Sequence, residues 1–142
     1  MFNKETEYAL RGLVYIQLQN LSDRKPGVTE IAKEIDAPQF YTAKILQRMV
    51  RSGFVASIKG KGGGFYFDKE KPELSLKELI VAIEGNKTFS GCGFGLKHCD
   101  ATNPCPLHSQ FAPIRDSINT LVINETIQSL AKKYTLKTKV IS

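Results

Sequence analysis

The chain has 142 residues and a net charge of +6, from 20 Lys and Arg against 14 Asp and Glu. Hydrophobic residues make up 42%, enough for a packed core and too many for a disordered chain. No apolar run approaches the ~20 residues a membrane span needs. The opening MFNKETEYALRGL carries two carboxylates and no small-residue cleavage site. That predicts no signal peptide and a cytoplasmic, reducing compartment. There, an odd count of three cysteines argues against a disulfide framework.

Residues 4–19 read as a first helix, with Ala9, Leu10, Leu13, Val14 and Ile16 near helical spacing. LSDRKPG (21–27) is a turn. Thr29 is expected to cap a short helix whose inner face is Ile31, Ala32 and Ile35. Pro38 suits the first turn of the next helix, 38–51, with Tyr41, Ile45, Leu46 and Met49 facing inward. Gly53 ends it. Phe54–Ile58 and Phe65–Phe67 then flank Gly60-Lys61-Gly62-Gly63-Gly64 and read as a hairpin. The glycine run fits no nucleotide loop, because no Ser or Thr follows Lys61 and a strand follows the glycines.

Short helix, tight turn, helix and two-stranded hairpin make a winged helix-turn-helix. No acidic residue lies between Asp36 and Asp68, while Lys44, Arg48, Arg51, Lys59 and Lys61 all do. The basic stretch coincides with the second helix and the wing, which points to double-stranded DNA. Gln39, Phe40, Ala43, Lys44 and Gln47 are placed on the outer face of the recognition helix, with Lys44 or Gln47 reading base edges. Arg48, Arg51, Lys59 and Lys61 would hold phosphates. The tip formed by Gly62, Gly63 and Gly64 would let the wing backbone approach the duplex.

Ser75-Leu76-Lys77-Glu78 is a capping box opening the helix LKELIVAIE, which Gly85 closes. Residues 86–108 read as irregular. A long helix is expected from about Ser109, with Pro113 in its first turn. Phe111, Ile114, Ile118 and Leu121 form a stripe in the manner of a coiled-coil seam. The stripe predicts a homodimer, which suits a reader of two half-sites in a palindromic promoter.

All three cysteines fall in one loop as Cys92-x6-Cys99-x5-Cys105-x2-His108. Three soft thiolates and an imidazole suit zinc, copper(I) or an iron–sulfur centre. Four readings stand at this point. They are structural zinc, which usually closes with a shorter chelate, a catalytic Cys–His pair, a thiol switch, and a cluster, which suits wide spacing. The catalytic reading lacks a strand–turn–helix setting for the nucleophile, so a binding protein rather than an enzyme is expected. His98 reads as an exposed loop histidine.

Taken together, ETEYALRGLVYI, VTEIAKEIDAPQFYTAKILQRMVRSGFV, SIKGKGGGFYF, LSLKELIVAIEG and the cysteine loop resemble the Rrf2 family of bacterial transcription regulators. The resemblance spans nearly the whole chain. It implies a dimer in which the long helices cross, and an iron–sulfur cluster whose state governs DNA binding. Carried over by motif, Cys92, Cys99 and Cys105 become the cluster thiolates. PCPLH matches the cluster-biogenesis branch, which implies His108 as fourth ligand and favours [2Fe–2S] over [4Fe–4S]. The first cysteine gap departs from that branch, with six residues where five are usual. TEYALRGL is similar to the nitric-oxide-sensing branch, which offers Glu7 of the partner subunit as the alternative ligand. The rival function keeps the scaffold as a thiol-redox or zinc sensor.

The expected fold is mainly α: a winged helix-turn-helix domain with a two-stranded wing, plus a long C-terminal dimerisation helix. The expected division is 1–85 for DNA binding, 86–108 for the cluster loop, and 109–142 for the dimerisation helix and tail.

Overall fold

The computed structural model describes residues 2–137, 141 and 142, with side chains omitted at 135–137. Internal contacts divide the chain into two compact units, residues 1–74 with 126–142, and residues 75–125. The helix after the wing therefore groups with the cysteine loop and not with residues 1–74, and the C-terminal segment groups with the first unit.

In the first unit, α1 (Lys4–Asn20), α2 (Val28–Glu34) and α3 (Gln39–Arg51) pack on one another. Asn3 caps α1, its Oδ1 accepting from Thr6 N at 2.8 Å. The α2 helix starts at Val28 behind Gly27, without a side-chain cap. Thr29 is therefore not the cap the sequence predicts. The helix starts early behind an extended Gly27, and Thr29 Oγ1 accepts instead from Gln39 Nε2 at 3.0 Å. Ile31, Ala32 and Ile35 are buried as expected.

Ile45, Leu46 and Met49 of α3 face inward as expected, but Thr42 and not Tyr41 completes that face. Thr42, Ile45, Leu46 and Met49 are buried, a run of i, i+3, i+4 and i+7. Tyr41 is turned out and meets Tyr8 edge-on, ring centroids 5.6 Å apart. Tyr15 ties α1 to α2, its hydroxyl donating to Glu30 Oε2 at 2.5 Å. Burial and the bond to Glu30 push that phenol upward.

The wing is β1 (Ala56–Ile58) antiparallel to β2 (Gly64–Tyr66), with Ser57 opposite Phe65. Its outer edge is also held. Phe65 N donates to Pro26 O at 2.9 Å. Asn20 acts as a strand surrogate, donating to Phe65 O at 3.2 Å and accepting from Phe67 N at 2.9 Å.

The second unit holds α4 (Leu76–Glu84), α5 (Lys87–Ser90) and α6 (His108–Asn124). Ser75 Oγ accepts from Glu78 N at 3.1 Å, so the expected cap forms. The short α5 lies within the stretch expected to be irregular, and it buries Phe89. One turn suffices there, because a single buried aromatic anchors it. Both α4 and α5 pack on α6.

Pro113 sits at the sixth residue of α6, deeper than the first turn, because the helix begins at His108. The helix then stops at Asn124, where Glu125 is extended. Thr126 and Ser129 cap α7 (Ile127–Lys137) reciprocally, at 2.8 and 2.9 Å, a start signal the sequence reading missed. Ile127 N donates to Leu74 O at 2.9 Å, and α7 packs on α1. Part of the expected tail, 138–140, lies outside the described residues. Among the described residues no helix is long and apolar enough to cross a membrane.

Candidate functional site

Exposed on α3 are Gln39, Phe40, Tyr41, Lys44, Gln47 and Arg51, with Ala43 half-buried between them. Lys44 Nζ lies 4.7 Å from the Phe40 ring centroid, an i, i+4 cation–π pair. Gln47 and Arg51 share one groove with Ser57, Lys59 and Gly63 of the wing. Helix and wing thus form one concave surface carrying the acid-free basic stretch. Lys61 and Gly62 are exposed at the wing tip. Arg48 is held differently. Its Nη1 makes an ion pair with Glu5 Oε1 at 2.7 Å, which ties α3 back to α1.

Gly64 has φ +149°, and a Cβ there would stand 2.1 Å from Lys25 O. Close backbone approach is what this glycine provides, at the start of β2 against residues 25–26.

The cysteine loop closes on itself. The thiols of Cys92, Cys99 and Cys105 all lie within 4.8 Å of one another. Cys92 and Cys105 sulfurs are 3.5 Å apart. His108 begins α6 with its Nδ1 3.6 Å from Cys99 Sγ. Backbone N–H groups point at sulfur, Phe94 N on Cys92 at 3.3 Å and Cys105 N on Cys99 at 3.4 Å. Such donors favour thiolate over thiol. Glu7 lies on the first turn of α1, 3.8 Å from Lys4 Nζ.

The spacer between Cys99 and Cys105 is organised by Asp100. Its Oδ1 accepts from Thr102 N, Thr102 Oγ1 and Asn103 N at 2.8, 2.6 and 2.8 Å. Asn103 Nδ2 reaches back to His98 O at 2.9 Å, while the His98 side chain stays exposed. This Asx knot was missed, although Asp-x-Thr-Asn carries its signal.

Phe111, expected in the outer stripe of α6, is instead half-buried against the loop. A Cβ on Gly93 would stand 2.7 Å from its ring. Arg115 Nη1 donates to Gly91 O at 3.3 Å. The segment bearing Cys92 is therefore fastened to α6. Ile114 and Leu121 remain on the exposed side at 59% and 54%, and Ile118 is half-buried.

Cys92 and Cys99 differ in acidity. Burial opposes ionisation of Cys92. The Leu96 and Phe94 amides and the neighbouring thiols outweigh it and bring Cys92 down to about 7. For Cys99, the Cys105 amide favours the thiolate, but burial and the two neighbouring thiols push it up to about 11. In reduced, metal-free protein Cys92 is thus expected to alkylate before Cys99. Its rate should rise through a midpoint near pH 7 and exceed that of Cys99 by roughly a hundredfold at that pH. Iodoacetamide labelling with peptide mass spectrometry checks this, and equal rates at the two thiols would contradict it.

A helix-turn-helix with a two-stranded wing and a basic concave face is the build of a DNA-binding transcription regulator. Residues 2–133 match the profile of the Rrf2 family, described as "Iron-dependent Transcriptional regulator". The chain belongs to the Rrf2 family. It is 30% identical over 132 residues to an Aquifex aeolicus (strain VF5) protein named as an HTH-type transcriptional regulator, covering 92% of this chain and 90% of that one. It is 23% identical over 123 residues to the HTH-type transcriptional regulator IscR of Yersinia pseudotuberculosis, covering 87% and 74%. In fold it is similar to CymR, the global cysteine regulator of B. subtilis, with a TM-score of 0.73 at 17% identity, covering 94% of this chain and 97% of that one.

Proposed function

We propose that this regulator's DNA binding is governed by an iron–sulfur cluster held by Cys92, Cys99, Cys105 and His108. The observation that carries the reading is the convergence of three thiols within 4.8 Å, with His108 3.6 Å from one of them. The donor set is soft and N–H groups already point at two of the sulfurs, as cluster sites require. The relationship to IscR adds weight. His108 is preferred to Glu7 as fourth ligand because it stands beside the thiols within its own chain. That choice favours [2Fe–2S]. A bound cluster supplies a centre that responds to oxidation, to loss of iron or to a small ligand. The Gly91–Gly93 tether to Phe111 and Arg115 passes any change in the loop to α6.

The regulator acts as a cytoplasmic homodimer on a palindromic promoter site. Ile114, Ile118 and Leu121 form the seam, and Phe111 braces the loop behind it. Gln39, Phe40, Ala43, Lys44 and Gln47 face the bases. Arg51, Lys59, Lys61 and the Gly62-Gly63 backbone hold phosphates, while Arg48 reaches DNA only by leaving Glu5. Lys61→Ala is expected to weaken binding on every sequence and lower the salt slope by about one. Titrations at several salt concentrations measure it, and an unchanged slope takes the wing tip out of the phosphate contacts.

One observation favours a second reading. Ligands around a single tetrahedral zinc stand about 3.8 Å apart, and all three thiols lie within 4.8 Å of one another. A zinc or thiol sensor on the same scaffold fits that distance. Anaerobic purification separates them. Brown protein with iron, sulfide and charge-transfer bands supports the cluster, and colourless protein with stoichiometric zinc overturns it. Mössbauer spectra of the wild type, His108→Ala and Glu7→Ala assign the fourth ligand.

A further inference from the structure

We propose that Phe40 and Lys44 together read a thymine beside a guanine in the major groove, the ring taking the C5 methyl and the ammonium the guanine edge. The inference rests on the DNA-binding reading and adds the base chemistry.

Phe40 is the second residue of α3, at the end of a recognition helix that meets base edges. It is 75% exposed, more than any other large apolar side chain among the described residues. An aromatic ring offers nothing to a phosphate oxygen, so its place on a basic face is not explained by backbone contacts. Its described ring contact is with Lys44 Nζ, 4.7 Å from the centroid. That contact restrains a flexible ammonium beside the ring before DNA arrives.

The chemistry of the pair is therefore one apolar face and one cation side by side. In the major groove, thymine alone shows a methyl group, and guanine shows two acceptors, N7 and O6. No carboxylate lies between Asp36 and Asp68 to oppose the approach of DNA. Glu5, which lines one pocket with Lys44, is engaged by Arg48.

The test uses the 142-residue protein and a duplex enriched from a random pool. Each thymine is replaced singly by deoxyuridine, which keeps pairing and removes only the methyl. Wild type is expected to lose about fourfold at one thymine per half-site, the worth of one buried methyl at about 0.8 kcal/mol. Phe40→Ala should show no further loss at that position, and Phe40→Leu should restore part of the discrimination. Replacing the adjacent guanine by 7-deazaguanine should weaken wild type and leave Lys44→Ala unaffected. A uracil penalty that persists in Phe40→Ala overturns the proposal. So does unchanged affinity with altered oligomer mass, which would assign Phe40 to a protein contact. Wild type that binds no duplex overturns the DNA-binding reading and the proposal together. Binding without any uracil penalty overturns the proposal alone.

Discussion

Cys105→Ser is expected to leave a folded protein that cannot hold the proposed iron–sulfur cluster. Iron content and visible absorbance should fall roughly tenfold or more. Cys105 is the buried member of the three thiols, at 7% exposure, and it joins both neighbours. Its sulfur stands 3.5 Å from Cys92, and its amide donates to Cys99 Sγ at 3.4 Å. Serine keeps the shape and the amide but offers a hard, protonated oxygen in place of a soft thiolate. The first unit, which carries the helix-turn-helix, has its own core, including Leu13, Ile16, Ile31, Ile35, Leu46 and Met49, and should melt as in wild type. Anaerobic iron and sulfide analysis beside circular dichroism reads both halves of the expectation. Full iron retention in the serine variant would remove Cys105 from the ligand set.

Gly64→Ala is the substitution expected to cost the wing most. The added Cβ would meet Lys25 O at 2.1 Å and Lys25 C at 2.6 Å, both backbone atoms that cannot swing aside. Relief requires β2 to leave residues 25–26, which breaks the Phe65 N to Pro26 O bond. Strain and the lost bond together amount to about 3 kcal/mol. For a unit of this size that lowers the melting temperature by about 15 °C. Lys59 and Lys61 lie in the turn between β1 and β2, so the salt slope of DNA binding should fall by about two as well. Thermal melts and salt titrations of one preparation give both numbers. An unshifted melt would mean that the wing is not anchored at Lys25.

Much of the fold is legible in the sequence because its signals are local. Ile31, Ala32 and Ile35 sit one turn apart and bury together on α2. Ser75 and Glu78 announce the start of α4, and the Ser75 cap forms there. The hairpin follows from two β-rich runs around glycines. Errors arose where a neighbour in space decides. Tyr41 is apolar enough for a core, but the start of α3 at Gln39 puts Thr42 inside. Phe111 lies in the expected seam by spacing, yet Gly93 offers it a flat backbone surface nearby. The break at Glu125 came from the capping of α7 by Thr126 and Ser129, a quieter signal than the apolar stripe before it.

The site divides in the same way. From composition and spacing alone come the ligand types, the acid-free basic stretch, and the order of helix, turn, helix and wing, since each depends on residues close in the chain. Only the tertiary structure decides which of them meet. It brings Cys92 within 3.5 Å of Cys105, thirteen positions away, and sets His108 against Cys99. It gives Arg48 to Glu5 and makes Asn20 a substitute strand for the wing. These pairings depend on how helices and loops pack across long separations in the chain, and no local period or cap encodes that.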